Sequence, residues 1–193
     1  MDFGEFQVEN ADRMIRKLYL FSMILGYSRK IYSELIDRCD LPTFLDCHIH
    51  AFDYFGGVTE EILYDRMKNV FIGKDSRQEQ IQRHPYRICV ALGFKPEVAP
   101  AYAAWVKGKV ERLYHFIREG FLRGYVFICR ETANRELLEW LQLKDERIHG
   151  TTHEVVSYRF ERERPHLQVL LPQAFDTSWP SLPKGRQGLH RPF

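Results

Sequence analysis

The sequence predicts an α/β domain built on a five-stranded mixed sheet with helices on both faces. Three observations carry that expectation. Three short strand-like runs separated by short turns open the chain, the pattern of an antiparallel meander. From Pro42 onward, helical and strand-like runs alternate. Between Ala103 and Phe121 the residues Val106, Val110, Leu113, Ile117 and Phe121 follow a 4, 3, 4, 4 spacing, which makes one apolar stripe on a long helix.

The elements follow in order. Phe3 to Glu9 alternates, with Phe6 and Val8 on one face and Phe3, Glu5, Gln7 and Glu9 on the other. Asn10-Ala11-Asp12 is a turn signal. Leu18 to Leu25 is the longest apolar stretch and reads as a buried strand, broken by Gly26-Tyr27-Ser28. Lys30 to Ile36 alternates again. Pro42 opens a helix over Thr43–Phe55 that Gly56-Gly57 ends. Glu60 to Tyr64 is a short strand ending in Asp65, and Asp75 to Pro85 is an exposed polar loop. Tyr86 to Leu92 is helical and stops at Gly93. Phe94 to Val98 holds Pro96, which places it at a sheet edge or strand end. Glu131 to Arg147 is a helix with Leu137, Leu138, Trp140 and Leu141 on its buried side. After Gly150 the order is ambiguous, and five prolines from Pro165 onward break up the tail. The expected division is a core at 1–125, a helical extension at 126–177 and an irregular tail at 178–193.

Composition narrows the function. The chain has 193 residues, 45% of them hydrophobic, enough for a sizeable core. A net charge of +2 does not by itself mark a nucleic-acid binder. No apolar stretch is long enough to span a bilayer, and the acids in MDFGEF do not suit a signal peptide. A cytoplasmic protein is expected. Cys39, Cys47, Cys89 and Cys129 have no zinc or redox spacing, so reduced, mostly buried thiols are expected.

Three acids sit at telling places. Asp2 is at the start of the first strand, Asp65 at the carboxyl end of the fourth. Glu111 lies on the long helix opposite its apolar stripe. Sites in open α/β sheets form at the carboxyl ends of strands, where strand order switches. The first and fourth strands are neighbours there if the meander grows outward from the first. Three carboxylates brought together repel, and divalent cations relieve the repulsion. Hard oxygen donors suit Mg²⁺ or Mn²⁺, and two such ions can clamp both oxygens of a phosphoryl transfer.

One motif is a decoy. Asp46-Cys47-His48-Ile49-His50 imitates a metal motif of amidohydrolase barrels, but it reads as helix in a chain too short for that fold. Two histidines at i, i+2 point to different sides of a helix, so both are expected to be structural or surface groups. No phosphate-binding G-x-x-x-x-G-K-S/T loop and no G-x-S-x-G elbow is present.

Long co-linear runs carry a resemblance. MDFGEF (1–6), LYLFSMILGYSRKIY (18–32), HIHAFDYFGGVTEEILYDRMKNV (48–70), GFKPEVAPA (93–101), KGKVERLYHFIREGF (107–121) and ERERPHLQVLLP (161–172) resemble IstA-type transposases. These belong to the DDE, integrase-like branch of the ribonuclease H-like fold. The resemblance implies that Asp2, Asp65 and Glu111 are the catalytic, metal-binding triad. It also implies two Mg²⁺ or Mn²⁺ ions, transposon-end and target DNA as partners, a homo-oligomer and an AAA+ helper ATPase. The 45 residues between Asp65 and Glu111 suit that assignment. Lys107, Glu111, His115 and Arg118 share one helical stripe, and Lys107, Lys109, His115 and Arg118 are the expected DNA contacts. Arg159, Arg162 and Arg164 could track a DNA backbone, but Glu161 and Glu163 are interleaved with them.

The resemblance departs at the ends. Only Met1 precedes Asp2, where the family has several apolar strand residues, and the family's helix-turn-helix region is absent. Residues 180–193 do not resemble the family. The expectation is an amino-terminally truncated transposase fragment. An inactive remnant that binds DNA or an intact transposase stays open, as does a nuclease of the same fold acting with water.

Overall fold

Alternation at the amino end becomes a strand, β1 (Asp2–Glu9), with Val8 buried and Glu5 and Gln7 exposed. It pairs antiparallel with β2 (Ile15–Ile24), which pairs antiparallel with β3 (Ile31–Ile36). The computed structural model describes residues 2–9, 15–64, 89–90, 92–98 and 112–170. The expected turn at 10–12 and the polar loop at 75–85 lie outside these residues, as do most of the helix expected at 86–92, the first half of the one at 103–121, and the tail.

Helix α1 (Leu41–Phe55) follows. Asp40 caps its first turn by accepting from the Thr43 amide at 3.0 Å, and Pro42 sits where its missing N–H costs nothing. Gly56 ends it with φ +73°, a left-handed conformation that favours glycine. A short strand, β4 (Glu61–Tyr64), runs parallel to β5 (Lys95–Val98). Of the helix expected at 103–121, residues 112–117 are described and form α2, which runs into a π-helical turn at Arg118–Leu122. Helix α3 (Arg130–Asp145) buries Ala133, Leu137 and Leu141. Helix α4 (Val156–Glu163) ends in a 3₁₀ turn at Arg164–His166.

The described pairings form two sheets, one antiparallel in the order β1-β2-β3 and one parallel β4-β5 pair. The sequence predicts a single five-stranded sheet. Among the described residues no pairing joins β1 to β4.

Strand β2 explains how the layers stack. Side chains alternate across a strand, so its odd and even residues enter different cores. Phe21 and Met23 join Phe44, Cys47, Phe52 and Phe55 of α1 and Ile62 and Tyr64 of β4. Leu18 and Leu20 join Leu113 and Ile117 of α2 and Leu137 and Leu141 of α3. The meander therefore lies between α1 on one face and α2 with α3 on the other. Each fully buried Leu or Phe contributes about 1.5–3 kcal/mol through burial.

Two attachments escape local sequence patterns. The Asn134 side chain of α3 pairs with the backbone of β3, accepting from the Leu35 amide at 2.6 Å and donating to its carbonyl at 3.0 Å. Helix α4 clamps the β2–β3 turn. Arg159 donates to the Tyr27 carbonyl, and the Glu163 carboxylate accepts from the Tyr27 and Ser28 amides at 3.1 and 2.8 Å. Beyond α4, Val58 and Gln168 exchange two backbone hydrogen bonds, each 2.8 Å. A Cβ on Gly57 would lie 2.7 Å from Leu167 Cβ, so only glycine admits this crossing. The segment after Gly150, ambiguous in the sequence, is thus tied to the loop between α1 and β4.

Candidate functional site

The three predicted acids are placed unequally. Asp2 is the first residue of β1 and enters by its backbone position alone. Asp65 and Glu111 lie outside the described residues, as do Lys107 and Lys109. Each acid nevertheless has a described neighbour.

Asp2 stands opposite Ser22 in the β1–β2 register, and Ser22 stands opposite Ser33 in β2–β3. The Ser22 and Ser33 hydroxyls are buried and 2.8 Å apart, one donating to the other. The next row on this face holds Gly4 opposite Leu20. A Cβ on Gly4 would lie 2.6 Å from the Tyr114 ring, so α2 rests directly on β1 here. The Tyr114 hydroxyl donates to the Leu20 carbonyl at 3.4 Å, and its ring lies 6.1 Å from that of Phe6. Further along, Arg118, Leu122 and Tyr125 face Glu5 to Val8 across an open groove of about 740 Å³. From Tyr114 to Leu122 the helical segment therefore advances along β1 from Gly4 towards Val8. Tyr114, near its amino end, is thus on the Gly4 side of that groove.

Tyr64, the residue before Asp65, is the buried last residue of β4. It meets His48, the first histidine of the decoy motif. His48 is fully buried, with Nδ1 2.6 Å from the Phe44 carbonyl and Nε2 2.8 Å from the Tyr64 hydroxyl. Burial pushes its pKa down to about 3. His50 lies on the other side of α1, exposed, with Nδ1 3.2 Å from Glu34. One histidine is structural and one is at the surface, as the i, i+2 spacing predicts. The signal that separates them was present. Phe44, Cys47, His48, Ala51, Phe52 and Phe55 form the buried stripe of α1, spaced 3, 1, 3, 1, 3. None of the four cysteines is in a disulfide, with Cys47 and Cys89 buried and Cys39 and Cys129 half-buried.

The basic residues differ in availability. His115 and Arg118 are exposed on α2 and the turn that follows. Glu119 pairs with Arg123 at 3.0 Å and lies 4.0 Å from Arg118 Nε, so the groove rim is mixed in charge. Arg159 is committed to Tyr27 and Glu154, and Arg162 also pairs with Glu154. It is Glu154 that neutralises this pair, while Glu163 is spent on the Tyr27–Ser28 amides. Among the described residues no group of three or more His, Cys, Asp or Glu side chains could hold a metal ion. Among them, too, no helix is long and apolar enough to cross a membrane.

No family model matches the chain. It is 34% identical over 169 residues to the IS5376 transposase of Geobacillus stearothermophilus, covering 87% of this chain and 42% of that relative. It is 28% identical over 180 residues to the IS21 transposase of Pseudomonas aeruginosa, covering 92% and 46%. An IS21-like transposase of Bacteroides fragilis matches at 29% over 170 residues, covering 86% and 32%. The chain spans less than half the length of these relatives. Among solved structures, it superposes on a chain of a simian T-cell lymphotropic virus intasome bound to PP2A regulatory subunit B56 gamma. The TM-score is 0.60 at 11% identity, over 99% of this chain and 59% of that one. It also superposes on the HTLV-2 integrase catalytic core domain in complex with magnesium, with TM-score 0.56 at 14% identity, over 82% and 93%. At that identity the likeness shows the fold alone, the mixed α/β, ribonuclease H-like architecture of integrase cores. The relatives that the chain resembles along most of its own length are IstA-like transposases of IS21-type insertion sequences.

Proposed function

We propose that the chain carries the catalytic domain of a DNA transposase, which transfers transposon ends to target DNA by attack of a 3′-hydroxyl. Asp2, Asp65 and Glu111 are its acidic site. One observation supports this best: Tyr114, near the amino end of α2, rests on β1 at Gly4, on the Asp2 side of the groove. The reading includes β1 beside β4 in a five-stranded sheet, which would set Asp65 beside Asp2 at the switch of strand order. It also takes residues 1–125 as the catalytic core, 126–177 as its extension and 178–193 as a tail.

The donor set is three carboxylates, whose hard oxygens fit Mg²⁺ or Mn²⁺. Two ions are proposed, with Asp2 a ligand of both, Asp65 of one and Glu111 of the other. Bound there, divalent cations supply the positive charge that attacking and leaving oxygens require. The chain's own work is positional. The carboxylates orient what they hold, and Lys107, Lys109, His115 and Arg118 would steady DNA phosphates along the helix. No covalent enzyme intermediate is needed, because the nucleophile belongs to the DNA. In this reading the domain acts in the cytoplasm as a homo-oligomer, with an AAA+ helper ATPase.

The test is joining of labelled transposon-end DNA to a target duplex in Mn²⁺, by the chain and by its Asp65→Asn and Glu111→Gln variants. Joined products from the chain and none from either variant are expected. Full joining by Asp65→Asn would overturn the triad. Cleavage without joining would turn the reading to a nuclease, and DNA binding without either to an inactive remnant.

A further inference from the structure

His48 is a titratable group buried in the core between α1 and β4. A buried histidine amid Phe21, Phe44, Phe52 and Phe94 is costly unless both ring nitrogens are satisfied. Here both are. The Phe44 carbonyl can only accept, so Nδ1 carries the proton. Nε2 is then the acceptor, and the Tyr64 hydroxyl donates to it. The imidazole also stacks on Phe94, with centroids 5.7 Å apart and planes 5° from parallel, just before β5. One side chain thus fixes α1, the end of β4 and the start of β5 against each other. Packing alone would not call for this. A Leu or Phe fills such a space without two directional bonds, and half-satisfied polar groups in a core are destabilising.

We propose that His48 is a positioning residue for Asp65, acting through Tyr64, the residue covalently before it. This rests on the acidic-site reading above. His48 does not touch the reacting atoms. Its bond locks the Tyr64 ring, and so sets the backbone from which Asp65 departs. Orienting partners of metal ligands typically affect metal affinity roughly 10–100-fold. The same size of effect is expected here.

The test is Mn²⁺ binding by the chain, read from the electron paramagnetic resonance of free Mn²⁺. Four variants are compared below their melting transitions. Asp65→Asn should abolish the tightest binding. Tyr64→Phe, which removes one hydroxyl, should melt cooperatively yet bind Mn²⁺ about 10-fold or more weakly. Leu141→Val, in the opposite core, should lose stability and keep its Mn²⁺ affinity. His48→Gln, whose amide oxygen can accept from Tyr64, should bind more tightly than Tyr64→Phe. Affinity in Tyr64→Phe no weaker than in Leu141→Val would overturn the positioning role. So would failure of both Tyr64→Phe and His48→Gln to melt cooperatively, since the pair would then serve folding. If the unsubstituted chain binds no Mn²⁺, or Asp65→Asn binds as well as it does, the acidic-site reading itself fails. That outcome is distinct from the others.

Discussion

The two faces of the central meander are held by different chemistry. Against α2 and α3 the core is largely aliphatic, with Leu18, Leu20, Leu35, Leu137 and Leu141. Against α1 and β4 it is built of rings, including Phe21, Phe44, Phe52, Phe55 and Tyr64 around His48. Aliphatic packing constrains volume and is tolerant of direction. Rings with a hydrogen-bonded histidine constrain direction as well. In each region a buried polar pair borders a predicted acid: Ser22–Ser33 beside Asp2 in the register, and His48–Tyr64 before Asp65. The difference suggests that the α1 side sets geometry while the α3 side supplies stability.

The largest effect is expected where both regions meet. Lys30 pairs with Asp145 of α3 at 2.5 Å, both nearly buried, and its ammonium lies 4.9 Å from the Phe160 ring centroid of α4. Removing one partner leaves an uncompensated buried charge. Asp145→Ala should cost about 3–5 kcal/mol, read by urea denaturation. A loss under 1 kcal/mol would mean that α3 and α4 are not anchored through Lys30.

Leu137→Ala tests the aliphatic face. About 2–5 kcal/mol should be lost, with the cavity term deciding where in that range it falls. Any remaining activity of the folded fraction should be unchanged.

On the ring face, pH gives a sharper probe. His48 titrates near 3 when folded but near 6.5 in a model peptide. Between those values the unfolded chain binds a proton that the folded chain does not. The His48 contribution to stability is therefore full above about pH 6.5 and is lost as pH drops, by up to about 1.4 kcal/mol per pH unit. By pH 5 this group alone should cost roughly 2 kcal/mol. His48→Gln should flatten the slope of unfolding free energy against pH by about one proton. An unchanged slope would show that His48 is not buried in its neutral form.

The smallest effect concerns the row beside Asp2. Ser22→Ala leaves the Ser33 hydroxyl without its partner, and about 1–2 kcal/mol should be lost in thermal melting. Ser22→Ala with Ser33→Ala should recover part of that, because neither hydroxyl is then stranded.

Much of the architecture was legible because it is local. The meander, α1 with its Gly56 stop, β4, and the Pro96-bearing β5 all follow from alternation, caps and turn residues. Helix α3 was read within one or two residues of its ends. Helix α4 was not. It has eight residues, buries only Val156, and is held by Tyr27, Ser28 and Lys30 from more than a hundred residues away. No local pattern encodes such partners. The Gly57–Leu167 crossing is hidden in the same way, since the glycine needs space from a segment far downstream. At the site, the three acids rest on resemblance and strand position. The spacing of the two histidines placed them on different sides of α1 but did not tell which would bond to Tyr64.

Whether Asp2, Asp65 and Glu111 form one cation site is read from thermal unfolding of the chain with and without Mn²⁺, beside Asp65→Asn. A ligand that binds only the folded state raises the melting temperature by linkage. A Mn²⁺-dependent rise that Asp65→Asn abolishes is expected, with that variant as stable as the parent, or more so, in the absence of metal, because carboxylate repulsion is relieved. A chain that melts cooperatively with no Mn²⁺-dependent rise, or a rise that survives in Asp65→Asn, would contradict a shared cation site.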